Sequence, residues 1–178
     1  HNAIENYPLG EVCARSMSRQ YGMAASWHTQ ADWVSDPETG GDDLAALLLL
    51  HDIMGRAENM ANRTLPAKTL FGLGGKDVEF MGYWTLQPEN DPQAKNVKAS
   101  AWLRRSEGTA LVVVANLDAK DRRETIRLPL ERMGVRRPAV VCDGEERRTS
   151  IPLDGDAVSL AVPARDFRSR LAATRISR

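Results

Sequence analysis

The sequence predicts an α+β protein: a terminal α/β, barrel-like segment over residues 1–65, a linker over 66–77 and an all-β antiparallel sandwich over 78–178. Three observations predict it. A run of helix formers from Leu44 to Met54 follows a short apolar strand and a long polar loop, the order of an α/β unit. At about residue 65 this helix-like sequence gives way to strand-like sequence. From Val78 onward, short β-rich runs alternate with turn signals, as in sandwiches and barrels.

In chain order, Glu11 to Gln20 reads as a helix and Tyr21 to Trp27 as an apolar strand, which leads into the polar loop His28 to Gly41. Gly40-Gly41 lets the chain enter the next helix, and Asp42 and Asp43 place negative charge against its N-terminal dipole. Apolar residues cover most of that helix's circumference, so it is expected to be buried on more than one side, with Gly55 helping to end it. One α/β unit cannot form a parallel sheet alone. Together with the first residue, His1, this makes a fragment of a longer or processed chain the expectation.

The expected strands are Val78 to Leu86, Val97 to Leu103, Ala110 to Leu117, Glu124 to Leu128, Ala139 to Cys142, Arg147 to Ile151, Ala157 to Val162 and Phe167 to Ala172. Asp143-Gly144 and Asp154-Gly155 suit tight hairpins that need positive φ. Val112-Val113-Val114 has the look of a central strand, while Thr125, Ile126, Arg127 and Leu128 alternate as if one face were wet. Pro129 to Gly134 is expected to add one helical turn or a loop across the sheet ends.

Composition bounds the function. Lys+Arg 24 balance Asp+Glu 24, and 42% apolar residues describe an ordinary globular chain, against disorder. No apolar run approaches the roughly 18–20 residues of a membrane-spanning helix. Cys13 and Cys142 lie far apart, neither in a CxxC nor near paired histidines, so they read as buried thiols; no disulfide framework, metal site or cofactor is expected. Residues 1–60 hold three basic and nine acidic side chains, 3 − 9 = −6, leaving +6 for the remainder. That excess is interleaved with acids, as in Asp121-Arg122-Arg123-Glu124, which argues against nucleic acid as a partner.

Leu47-Leu48-Leu49-Leu50-His51-Asp52, Val78-Glu79-Phe80-Met81-Gly82-Tyr83-Trp84, Ala110 to Leu117 and Val162-Pro163-Ala164-Arg165-Asp166-Phe167 give the chain a further signature. In these series it resembles the C-terminal portion of bacterial glycoside-hydrolase-like proteins, in particular the glycoside hydrolase family 123-like group. The resemblance implies a (β/α) barrel followed by a β-sandwich, and a carbohydrate-processing parent acting on amino sugars. It also implies catalysis by adjacent carboxylates assisted by the substrate's acetamido group. That pair matches no position here, so the resemblance puts the chemistry in an upstream barrel domain of the same protein and leaves the catalytic residues unknown.

The loop after the Tyr21 to Trp27 strand is the candidate binding site, because ligands in α/β folds lie beyond the carboxyl ends of strands. Trp27, His28, Asp32 and Trp33 are its substrate-binding candidates: indole faces stack on sugar rings while imidazole and carboxylate bind hydroxyls. Asp36 and Glu38 add acids, yet nearness in a loop does not establish the spacing a glycosidase pair needs. The competing reading has Trp27 in the core and the acids as loop or capping residues. His51-Asp52 reads as a capped or solvent-facing pair, since adjacent helical residues point apart and no G-x-S-x-G elbow is present. Phe71 to Asp77 is glycine-rich but lacks the phosphate-loop spacing and reads as a connection. Glu79, Tyr83, Trp84 and Trp102 either form a sugar-binding face or pack between sheets or at a domain junction. The alternative function is a non-catalytic carbohydrate-binding or structural sandwich module.

Overall fold

The computed structural model describes residues 26–27, 42–55, 71–73, 75–87, 96–137, 139–143 and 150–174; His28, Asp32, Trp33 and the side chain of Trp27 lie outside what it describes. In chain order the elements are β1 (Ser26–Trp27), α1 (Asp42–Leu50), β2 (Met54–Gly55), β3 (Glu79–Met81), α2 (Tyr83–Leu86), β4 (Val97–Arg104), β5 (Thr109–Asn116), β6 (Arg122–Arg127), β7 (Ala139–Asp143), β8 (Ser150–Ile151), β9 (Ala157–Val162) and β10 (Asp166–Thr174). Antiparallel sheet dominates the described residues.

Six strands form one antiparallel sheet in the order β3-β4-β5-β10-β7-β8, and β6 with β9 forms a two-stranded antiparallel ribbon. The last strand, β10, lies between β5 and β7, so the sheet closes only when the final residues pair. The near-continuous apolar runs of β4 and β5 form doubly covered central strands. Alternate residues divide between two cores, as a period of two dictates. Ala99, Ala101, Leu103, Ala110, Val112 and Val114 meet Ile126, Val158, Leu160 and Val162 of the ribbon. Trp102, Leu111, Val113, Ala115 and Phe167 meet Ala46 to Leu50 of α1 on the other face. The order of layers is therefore helix, six-stranded sheet, ribbon.

Two turns justify their glycines. Asp154 and Ala157 exchange both backbone hydrogen bonds, at 3.0 and 2.9 Å, around a two-residue loop in which Gly155 has φ 62°. Gly108 closes the β4–β5 hairpin at φ 63°, and a Cβ there would stand 2.5 Å from Thr174 Oγ1. The expected turn after Pro129 is present, with Met133 N–H donating to Pro129 O at 3.0 Å and Leu130, Met133 and Val135 buried beneath the ribbon.

Among the described residues the main differences from expectation are two, while the expected helix Glu11 to Gln20 and loop His28 to Gly41 lie outside them. α1 stops at Leu50, short of Met54, because the chain turns left-handed at Asp52 (φ 55°). Ile53 N–H then returns to Leu48 O at 3.0 Å, the six-to-one bond of a Schellman ending. The segment Val78 to Leu86 is not one strand: β3 ends at Met81, and Thr85 and Leu86 N–H groups both bond Gly82 O, winding Tyr83–Leu86 into a helical turn.

Candidate functional site

β1 and β2 pair in parallel, Ser26 with Met54 and Trp27 with Gly55, with α1 in the connection between them. Trp27 thus ends a parallel strand at the carboxyl side, where α/β folds place ligands. The candidates His28, Asp32 and Trp33 follow it directly in sequence.

A polar and aromatic cluster ties the C-terminal end of α1 to the six-stranded sheet. Ser100 Oγ, fully buried on β4, donates to Leu50 O at 2.8 Å and accepts from Tyr83 N–H at 3.0 Å. It therefore satisfies one of the orphan carbonyls of α1 while holding the start of α2. Trp102, two residues along the same face of β4 and 2% exposed, donates its indole N–H to Asp52 Oδ1 at 2.9 Å. On the other side of Ser100, the Lys98 ammonium lies 4.8 Å from the centre of the Tyr83 ring, where the π face favours a cation.

His51 is inside this cluster and not solvent-facing: it is 6% exposed, with Nδ1 2.7 Å from Leu47 O. A carbonyl only accepts, so Nδ1 carries the proton and Nε2 presents a lone pair, which is buried with no hydrogen-bond partner among the described residues. The ring stacks on Trp84 at 6.1 Å and meets the Tyr83 edge at 5.5 Å. Its neighbour Asp52 is exposed, so the pair does point apart as its helical position requires. The signal for His51 was its four-residue spacing from Leu47 within an apolar block. Lys98 and Ser100 had no comparable signal, because their partners are distant in sequence.

Of the aromatic group read as either a sugar face or a junction, Tyr83 and Trp102 are buried in the core shared with α1, and Trp84 is half-buried against it. Glu79 stands apart, exposed, in a paired hydrogen bond with Arg105. The structure assembles these aromatics as the packing of a junction.

Burial is the main cause lowering the His51 pKa from 6.5; the bond to Leu47 opposes it and the Lys98 charge adds to it. Below about pH 6.5 the unfolded chain takes up a proton that the folded one excludes. Stability present above that pH is lost at up to about 1.4 kcal/mol per pH unit until folded His51 protonates. Urea unfolding of the wild type and His51→Phe between pH 8 and 5 is expected to show this extra slope in the wild type alone; equal slopes would contradict it.

The fold has counterparts among solved structures. It is similar to a protein from Bacillus halodurans described as a candidate α-N-acetylgalactosaminidase, with TM-score 0.52 and 12% identity, over 75% of this chain and 30% of that one. It is similar as well to α-galactosidase I from Mortierella vinacea, with TM-score 0.52 and 12% identity, over 94% of this chain and 44% of that one. The chain spans less than half the length of either structure. No protein-family model and no curated protein matches it.

Proposed function

We propose that this chain is the C-terminal portion of a carbohydrate-active protein, a glycoside hydrolase of the family 123-like group. Residues 1–65 end a (β/α) barrel, 66–77 link it, and 78–178 form the accessory sandwich; the partner domain is the upstream barrel of the same protein. Trp27, His28, Asp32 and Trp33 contact the sugar, and the main catalytic carboxylates stand upstream. The observation that carries this reading is the parallel β1–α1–β2 unit seated on an antiparallel sheet, in a fold similar to two glycosidases.

Several carboxylates of the sandwich and the linker are engaged by arginine, which supports an upstream location for the chemistry. Asp77 and Glu107 are paired with Arg104, Asp118 with Arg122, Asp143 with Arg170, Asp156 with Arg137 and Asp166 with Arg168. Glu79 is held below the usual carboxylate range by its hydrogen bonds to Arg105, and Asp118 by its bond from Asn96. A general acid for glycosidic cleavage needs the opposite shift. Of these pairs, Asp143 with Arg170 ties β7 to β10, whereas Glu107 with Arg104 and Asp166 with Arg168 are local to one turn or strand.

The test is titration calorimetry of the chain against N-acetylated and neutral sugars, N-acetylgalactosamine and galactose among them. Trp27→Ala and Trp33→Ala are each expected to weaken binding about tenfold, roughly 1.4 kcal/mol, the scale of one lost stacking contact. Thr125→Ala, which removes only the exposed ribbon hydroxyl bonded to Ser159, is expected to leave binding unchanged. Absence of binding to every sugar, or loss in Thr125→Ala alone, would overturn the assignment of the strand-end loop.

A further inference from the structure

The turn that ends α1 uses a residue less suited to it than glycine. The Schellman position takes left-handed φ, where glycine meets no Cβ penalty and asparagine is the next best tolerated. Here it is Asp52, at φ 55°. Asp52 is exposed, so packing does not account for an aspartate here. Its side chain reaches across fifty positions to Trp102, a buried indole whose N–H is a donor only and requires an acceptor. Glycine would make the same turn without strain and without this bond. Strain held at one residue whose side chain has a specific distant partner points to a function for that contact.

The geometry points to Asp52 as a positioning residue: a latch by which Trp102 of the sandwich sets the direction of the chain leaving α1, and with it the alignment of the parallel pair. Only Ile53, itself buried, separates Asp52 from β2. β2 is the partner of β1, and Trp27 lies opposite Gly55 in the register. A displacement of the turn is therefore transmitted over two residues to the strand whose following loop carries the sugar-contacting candidates. The contribution to sugar binding rests on the function proposed above; the latch itself does not. The acceptor oxygen performs the role, so asparagine can replace aspartate whereas glycine cannot.

Three variants of the full chain test this by amide hydrogen exchange: Asp52→Gly, Asp52→Asn and Trp102→Phe. In Asp52→Gly, exchange at whichever amides of Ser26, Trp27, Met54 and Gly55 bond across the parallel pair is expected to rise about tenfold or more, while Val112 and Val114 of the central strand β5 stay at wild-type rates, a local opening and not a global one. Trp102→Phe is expected to reproduce that pattern, the double variant to go no further than either single one, and Asp52→Asn to stay near wild type. Unchanged or slower exchange in Asp52→Gly, as simple relief of strain produces, would overturn the latch. So would a uniform rise across the whole sheet, additive effects in the double variant, or Asp52→Asn behaving as Asp52→Gly. Sugar titration of the same variants separates the two claims. A wild type that binds no sugar but shows the expected exchange pattern sinks the sugar assignment and supports the latch, whereas full affinity in Asp52→Gly despite opened strands removes the positioning role.

Discussion

Leu48→Ala is expected to destabilise the whole protein by about 2–5 kcal/mol, in a single transition seen equally by helix and sheet signals. Leu48 is 2% exposed and belongs to the core formed with Leu111, Val113 and Phe167, so truncation leaves a cavity between layers and not on a surface. Ala46 to Leu50 are five consecutive buried residues, which leaves this stretch of α1 no polar face on which to survive undocked. Urea unfolding followed by far-ultraviolet circular dichroism and by tryptophan fluorescence, to which the buried Trp102 contributes from the sheet, is the measurement. A loss under about 1 kcal/mol, or a fluorescence transition that stays in place while the helix signal moves, would show that α1 docks without sharing the sheet's cooperativity.

The strands were readable wherever burial is set by the strand's own residues. The unbroken apolar run of β5 announces a strand covered on both sides, and Asp154-Gly155 announces a two-residue hairpin, because both signals are local. Val78 to Leu86 reads as one strand because its apolar content alone suits either state, yet β3 ends at Met81. The break at Gly82 depends on Ser100, eighteen positions away, which accepts the Tyr83 N–H, and on Trp84 folding back over a glycine where a Cβ would stand 2.4 Å from its ring. The insertion of β10 between β5 and β7 had no local signal either. Strand order follows from which faces must be covered, a property of the assembled layers.

For the site, sequence order identified Trp27 as a strand end, and the parallel pairing of β1 with β2 agrees with that part of the reading. The junction cluster was harder to read. His51-Asp52 reads as a capped or solvent-facing pair, since helical geometry points adjacent residues apart, and Asp52 is indeed exposed. The same geometry placed His51 over Leu47 and under Tyr83 and Trp84, which only the packing of α2 against α1 reveals. Lys98 and Ser100 interrupt an otherwise apolar strand, and their alternation with Trp102 on one face was the available hint that this face meets something polar, namely a helix C-terminus.

Asn116→Ala is expected to cost about 2–4 kcal/mol, more than most polar substitutions, because several backbone groups lose their partner together. Asn116 is 0% exposed at the end of β5. Its Nδ2 lies 2.8 Å from Lys120 O, 3.1 Å from Val162 O and 3.0 Å from Pro163 O, and its Oδ1 accepts from Asp118 N–H at 3.0 Å. One amide thus ties the sheet to the loop that opens the ribbon and to the strand that closes it. Lys120 is exposed, so water can replace its bond; the carbonyl of buried Val162 has no such recourse, which is why the expected cost falls below the sum over all four contacts. Asn116→Asp sharpens the test, since it keeps the acceptor for Asp118 but turns an oxygen toward three carbonyls. The introduced carboxyl is then forced to retain a proton, so its folded pKa lies above the ordinary value near 4, and the penalty grows as pH rises from there toward neutrality. Urea unfolding at pH 5 and pH 7.5 is expected to find this variant closer to wild type at the lower pH. Equal deficits at both would mean that its oxygen does not face the carbonyls, and that the ribbon is held by its apolar underside alone.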